Sequence, residues 1–259
     1  LAIDTKNMVI HGTGTAFIIG ADGQTGAQLM KMQNMTIEIT SESEDVFGGD
    51  SLFPFYNYIT SKSATFTFTN ATVDLNVLAM TQGVPVSTGG EAFGNETITV
   101  KGTGDTLAVT TGVLADTVEC LLEDGTRLTR VSESPTTGQF SCTENGALTF
   151  GSDVTAGKVV IVSYVYTVAD GSSVHVLTDS VPGYVELRHV SNVTEIPDGK
   201  GGTKKVRLYT RVYKARCDGG FSLEQTRDGA TAPEVTFTSV DPERSDKRFV
   251  SYSVVEEKN

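Results

Sequence analysis

The sequence predicts a mainly β protein: a discontinuous β-sandwich or barrel core with one short helix, interrupted by a small antiparallel β-sandwich. Three observations point there. Thr, Val and Gly are abundant, Trp is absent, and the apolar runs are short and punctuated by glycine pairs. Two strictly alternating patterns, MTIEITSES and SATFTFT, lie between Met35 and Thr69. The strand texture changes near residue 96 and returns past residue 178. A chain of 259 residues can bury one substantial core, or one core plus a smaller inserted one.

The opening segment MVIHGTGTAFII and the following GADGQTGAQLMKM read as a β element, a glycine-rich turn and another short strand. In residues 35–43, Ile37 and Ile39 point one way while Thr36, Glu38, Thr40 and Glu42 point the other, because side chains alternate along a strand. In residues 63–69, Ala64, Phe66 and Phe68 form the buried face and Ser63, Thr65, Thr67 and Thr69 the outward one. Both outward rows carry hydroxyls or carboxylates and no basic residue.

Joining these strands is an arm, residues 44–62 (EDVFGGDSLFPFYNYITSK), where a hairpin needs only two to five residues. Phe47, Phe53, Phe55, Tyr56 and Tyr58 sit there beside Gly48, Gly49 and Pro54. Ordering such an arm costs entropy, so these rings are expected to anchor a subunit contact; the other reading is that they cap the protein's own core.

VDLNVLAMTQG predicts a helix over about 72–82, with Val73, Leu75, Val77, Leu78 and Met80 at roughly helical spacing and Gly83 as its stop. From about 96 to 176, ETITVKG, DTLAVTT, DTVECLLEDGTRLTRV, GQFSCTENGALTF and KVVIVSYVYTV follow one another as in a compact antiparallel sandwich, with tight turns at Asp124-Gly125 and Asn145-Gly146. Its flanks, VSTGGEAFGN and VADGSSVHV, read as module junctions. The layout is therefore a core of residues 1–95 with 177–259 and an insertion over 96–176. The returning part holds PGYVELRHVSNVTEI, a turn at 198–203, strand candidates at 205–216 and 234–240, and a last strand in RFVSYSVVEE.

Composition narrows the function. A net charge of −12 argues against a protein that grips nucleic acid by its phosphates, although acidity alone also serves solubility. No run approaches the eighteen or so apolar residues of a membrane span, and no leader pattern opens the sequence, so a soluble, non-membrane protein is expected. Three cysteines do not make a dense disulfide framework and suit an intracellular folding site. Cys120 shares the face of Val118 and Leu122, and Cys142 that of Phe140; both read as buried small hydrophobes, with a disulfide between them the lesser alternative.

Two runs carry a family resemblance. KSATFTFTNATVDLNVLAMTQG resembles the strand-then-helix element of phage tail tube (major tail) proteins. YKARCDGGFSLEQTRDGATAPEVTFTSVDPE is similar to their closing strand pair, where a K-x-x-x-x-G turn leads into a G-x-x-x-P-x-x-x-F strand. The resemblance covers about half of the proposed core. It implies a tail-tube-like β fold whose copies form stacked hexameric rings around a DNA channel. It further implies a place in the virion after assembly in the host cytoplasm, and neighbours such as a sheath if the tail contracts, a tape measure and a terminator. The insertion departs from the minimal pattern and resembles the immunoglobulin-like modules that phage structural proteins display outwards. It keeps two alternatives open: a capsid decoration or other virion surface protein, and a carbohydrate-binding adhesive protein.

A DNA conduit must be wet and not sticky, since basic side chains would trap phosphates. The rows Thr36, Glu38, Thr40, Glu42 and Ser63, Thr65, Thr67, Thr69 have that chemistry, and equally fit the ordinary solvent face of a sheet. Arg207 and Arg211 suit an interface or the outside better than a lumen wall. No catalytic group, cofactor or metal site is read from the sequence. His11, His175 and His189 lack partners at diagnostic spacing, and the His11-Gly12-Thr13-Gly14 loop has no G-x-S-x-G elbow after it. Asp22-Gly23, Asp50 and Asp228-Gly229 read as turns rather than calcium loops, and no pair of carboxylates stands out as a glycosidase site.

Overall fold

The computed structural model describes residues 8–257 except 22, 24–25, 198–201, 219, 224–226 and 228–231. The Asp22 and Asp228-Gly229 turns, most of the 198–203 turn, and parts of the second family-like run lie outside the described residues. The chain forms two compact units, Leu1–Pro85 with Val174–Asn259, and Val86–Ser173.

In chain order the strands of the first unit begin with β1 (Thr15–Gly20), β2 (Gly26–Leu29), β3 (Met32–Val46) and β4 (Tyr56–Asn70), followed by the helix α1 (Leu75–Gln82). Then come β5 (Val86–Thr99), β6 (Asp105–Thr106), β7 (Glu119–Leu122), β8 (Thr129–Arg130), β9 (Gln139–Cys142), β10 (Ala147–Phe150) and β11 (Val159–Val174). The first unit resumes with β12 (Tyr184–Val190), β13 (Thr194–Pro197), β14 (Thr203–Cys217), β15 (Glu234–Ser239) and β16 (Val250–Glu256).

The first unit is one open antiparallel sheet in the order β2-β1-β12-β14-β15-β4-β3, with β13 and β16 also paired to β14. β14 is long enough to pair β12 and β13 along one edge and β15 and β16 along the other. One face carries the core: Ile18, Leu29, Phe66, Phe68, Val212 and Phe237, with Val77 of α1 joining them. The Phe68 and Phe237 rings meet edge to face, centroids 6.2 Å apart. Among the described residues the sheet does not close, so the barrel expected as one form of the core is not seen within a single copy.

α1 begins at the Asp74 cap, whose Oδ1 accepts from the Asn76 N–H at 2.8 Å. It ends where Gly83 turns left-handed (φ +69°) and Val84 N–H returns to the Ala79 carbonyl. A Cβ at Gly83 would lie 2.1 Å from the Val181 carbonyl oxygen, so both the dihedral and the space require glycine. Val73 precedes the helix and is exposed; Val77, Ala79 and Thr81 are the residues it buries.

The second unit has a four-stranded sheet, β6-β10-β9-β8, and a three-stranded one, β5-β11-β7. They share a core that includes Val118, Cys120, Phe140, Cys142, Val160 and Val162. Gly125 (φ +86°) and Gly146 (φ +71°) make the two tight turns expected there. Two local expectations change. β8 and β9 run parallel, because the 131–138 segment loops back instead of reversing in a hairpin. DTLAVTT supplies only the two-residue β6. The two units divide at 85/86 and 173/174, at the glycine-rich flanks, which are themselves strand: 86–95 opens β5 and 168–174 ends β11, since glycine weakens a strand without forbidding it. Gly171 lies against Gly89, so the unit starts and ends on neighbouring strands, as an insertion requires.

Candidate assembly surface

The sheet face opposite the core gathers the residues singled out in the sequence. β3 and β4 pair so that Thr36 faces Thr67, Glu38 faces Thr65, Thr40 faces Ser63 and Glu42 faces Ser61, while Thr69 lies opposite Asn34. Directly opposed residues share a face, so all eight candidates form one two-column surface. The β3 members are exposed and the β4 members half-buried. Thr40 and Ser63 hydroxyls are 2.8 Å apart, and Ser61 Oγ donates to Glu42 Oε2 at 2.9 Å.

A third column comes from the 234–240 strand, a candidate for the inner or the outer sheet in the sequence. Glu234, Thr236 and Thr238 of β15 stand opposite Thr69, Thr67 and Thr65, with the Thr67 and Thr236 hydroxyls 3.2 Å apart. The alternation in EVTFTS was the available signal. The columns end at β3, which has β4 on one edge and, among the described residues, no strand on the other. A long free edge is a template for pairing with another chain.

The arm differs from its expected form. The ladder runs on through Ser43–Ile59, Glu44–Tyr58, Asp45–Asn57 and Val46–Tyr56, so only residues 47–55 form a loop. The 44–62 segment is thus mostly strand, its alternation masked by a bulge at Glu42/Ser43. Cross-strand hydrogen bonds replace the missing core: Tyr58 Oη donates to Glu44 at 2.8 Å and Asn57 Nδ2 to Asp45 at 2.6 Å. Because its phenol donates to that carboxylate, Tyr58 ionises above the usual tyrosine range. The rings do not cap the core of their own chain; Phe47 is 60%, Phe53 80% and Phe55 72% exposed, and Tyr56 and Tyr58 stack on each other in the open.

Past β15 the same face turns basic and aromatic. Arg207 is tied to Glu257 at 2.7 Å, and Arg211 makes two hydrogen bonds to Glu186, at 2.8 and 2.9 Å. Glu186 also accepts from Arg188, and these guanidiniums hold its carboxyl below the usual range against the opposing effect of burial. The Arg211 and Arg244 guanidiniums lie 4.8 and 4.2 Å from the Tyr213 ring centre, and Lys214 lies 4.6 Å from that of Tyr184. Arg188, Lys214 and Arg244 were not singled out in the sequence.

His189 is structural. Its Nε2 is 2.7 Å from the Thr13 carbonyl, which can only accept, so that nitrogen carries the proton. Thr13 Oγ1 in turn donates to the Met32 carbonyl, which gives the His11–Gly14 loop an anchoring role. Cys120 and Cys142 are buried free thiols. Among the described residues no cluster of three His, Cys, Asp or Glu side chains has metal-binding geometry.

A mainly β fold with a free sheet edge and a projecting hairpin suits a structural protein. The model of the YomU/Tube protein family matches residues 8–254, and the chain belongs to that family. Membership of this tube family makes it a phage tail structural protein, a component of the virion. No curated protein matches the chain.

Proposed function

We propose that the chain is the repeating subunit of the tube itself, assembling into six-membered rings that stack around a channel for DNA. The observation that carries this reading is the three-column surface of β3, β4 and β15, hydroxyl- and carboxylate-bearing and free of basic residues, beside an unpaired β3 edge. Sharing of sheets between six copies removes that edge and turns the columns into a bore that hydrates and repels phosphates. The arm bridges towards the next ring. The eight residues of β3 and nine of β4 beyond the last β15 pairing reach roughly 27–31 Å at ~3.4 Å per residue. A lone two-stranded hairpin is marginal in water and gains its stability on docking. Assembly takes place in the host cytoplasm, and the finished tube meets a tape measure, a terminator and, if the tail contracts, a sheath.

Electron microscopy of the purified protein tests the proposal. Tubes or stacked six-fold rings are expected. Shell-coating monomers or trimers, or an unassembled protein retained by glycans, would replace it with a decoration or adhesive role.

A further inference from the structure

The basic half of the outward face holds two adjoining grooves, of about 520 and 620 Å³, which share Ile19, Arg188, Arg211 and Tyr213. Lys214, Arg244 and Tyr184 add to the first. The positive groups are only partly neutralised: Arg244 pairs with Asp246, which Arg248 also approaches, and Lys214 pairs with Glu243, but Arg188 and Arg211 share Glu186, and the side chains of Arg188, Arg211 and Arg244 remain 52%, 48% and 40% exposed. A floor of aromatic rings under guanidiniums recognises an acidic segment rich in aromatic side chains.

This chain displays such a segment. The hairpin arm carries Glu44, Asp45 and Asp50 beside Phe53 and Phe55, all exposed. It leaves the sheet from β3 and β4, while the grooves lie on β12 and β14 with β15 between, and the tip rings are uncovered by their own chain. The charge of the arm is opposite to that of the grooves.

We infer that the arm tip of one copy docks into the Arg188–Arg211–Arg244 grooves of a second copy, acidic residues on the guanidiniums and phenylalanines in the grooves. The inference rests on the tube reading, because it names the receptor of the bridging arm.

The test uses the full chain with Phe53 replaced by p-benzoylphenylalanine. After irradiation and mass spectrometry, the crosslinked peptide is expected to contain residues 184–188, 211–214 or 240–248 of another copy; a crosslink elsewhere, or none, overturns the inference. Alongside it, the pair R211E and R244E is expected to shorten or abolish tubes while six-fold rings persist, and mixing with an E44K/D45K protein to restore stacking. Tubes of normal length from the groove variant would overturn the docking. Wild-type tubes with a crosslink elsewhere defeat the inference and leave the tube reading standing. A wild-type protein that makes no rings yet crosslinks at the grooves does the reverse.

Discussion

At the scale of single residues, protonation and burial set measurable behaviour. Burial lowers the His189 pKa, while its Nε2–H bond to the Thr13 carbonyl opposes that shift. The unfolded ring takes up its proton near pH 6.5, before the folded one does, so stability is fullest above that pH and falls as acid carries the protein through the lower folded value. Thermal melts between pH 7.5 and 5 should fall more steeply for the wild type than for H189Q, which keeps a donor but does not titrate; parallel slopes would contradict this. Burial likewise pushes the Cys120 thiol up to about 12 and the Cys142 thiol up to about 11. At pH 8 both should stay silent to a thiol reagent in the native protein and react on unfolding. Rapid native labelling at either position would show that the second unit's core is open.

At the scale of elements, each strand and the helix depend on a few identifiable groups. Replacing Gly83 by Ala forces a Cβ towards the Val181 carbonyl at a left-handed dihedral and should cost about 1–3 kcal/mol, read as a lowered Tm. Phe66 is 1% exposed in the core of the first unit, and Phe66→Ala should cost about 3–5 kcal/mol in denaturant melts. A variant of Phe53, 80% exposed, should leave the stability of the isolated chain nearly unchanged. The elements legible in the sequence were those with clean periodicity: β3 and β4 from Thr36–Glu42 and Ala64–Phe68, and the helix end from Gly83. The arm was misread because a bulge and a glycine-proline tip break its alternation, although backbone pairing continues past them. The parallel β8–β9 pair was not legible either, since a two-residue strand leaves no period to read and parallel pairing depends on where the chain returns in space.

At the scale of the whole molecule, the outward face of the first unit's sheet is divided by charge. Its β3, β4 and β15 half bears hydroxyls and carboxylates; its β12 and β14 half bears arginines over tyrosines. Alternation in the sequence revealed the columns on β3 and β4 one strand at a time. It did not reveal that β15 lies beside β4, because that neighbour is brought in from about 170 residues away. Arg207 and Arg211 were legible as outward-facing, but their partners Glu257 and Glu186 were not. If the acidic half lines a bore, E38K with E42K should leave ring formation nearly intact and slow DNA release from particles severalfold, because added lysines bind phosphates. Unchanged ejection kinetics with both side chains facing the channel would count against electrostatic smoothing of the wall.

The most direct measurement is a cryo-EM reconstruction of the assembled wild-type protein. The account predicts six-fold rings whose inner wall is made by β3, β4 and β15, with Glu38, Thr65 and Thr236 facing the bore. A reconstruction that turns this face outwards, or buries it against a different subunit surface with no shared sheet, would contradict it.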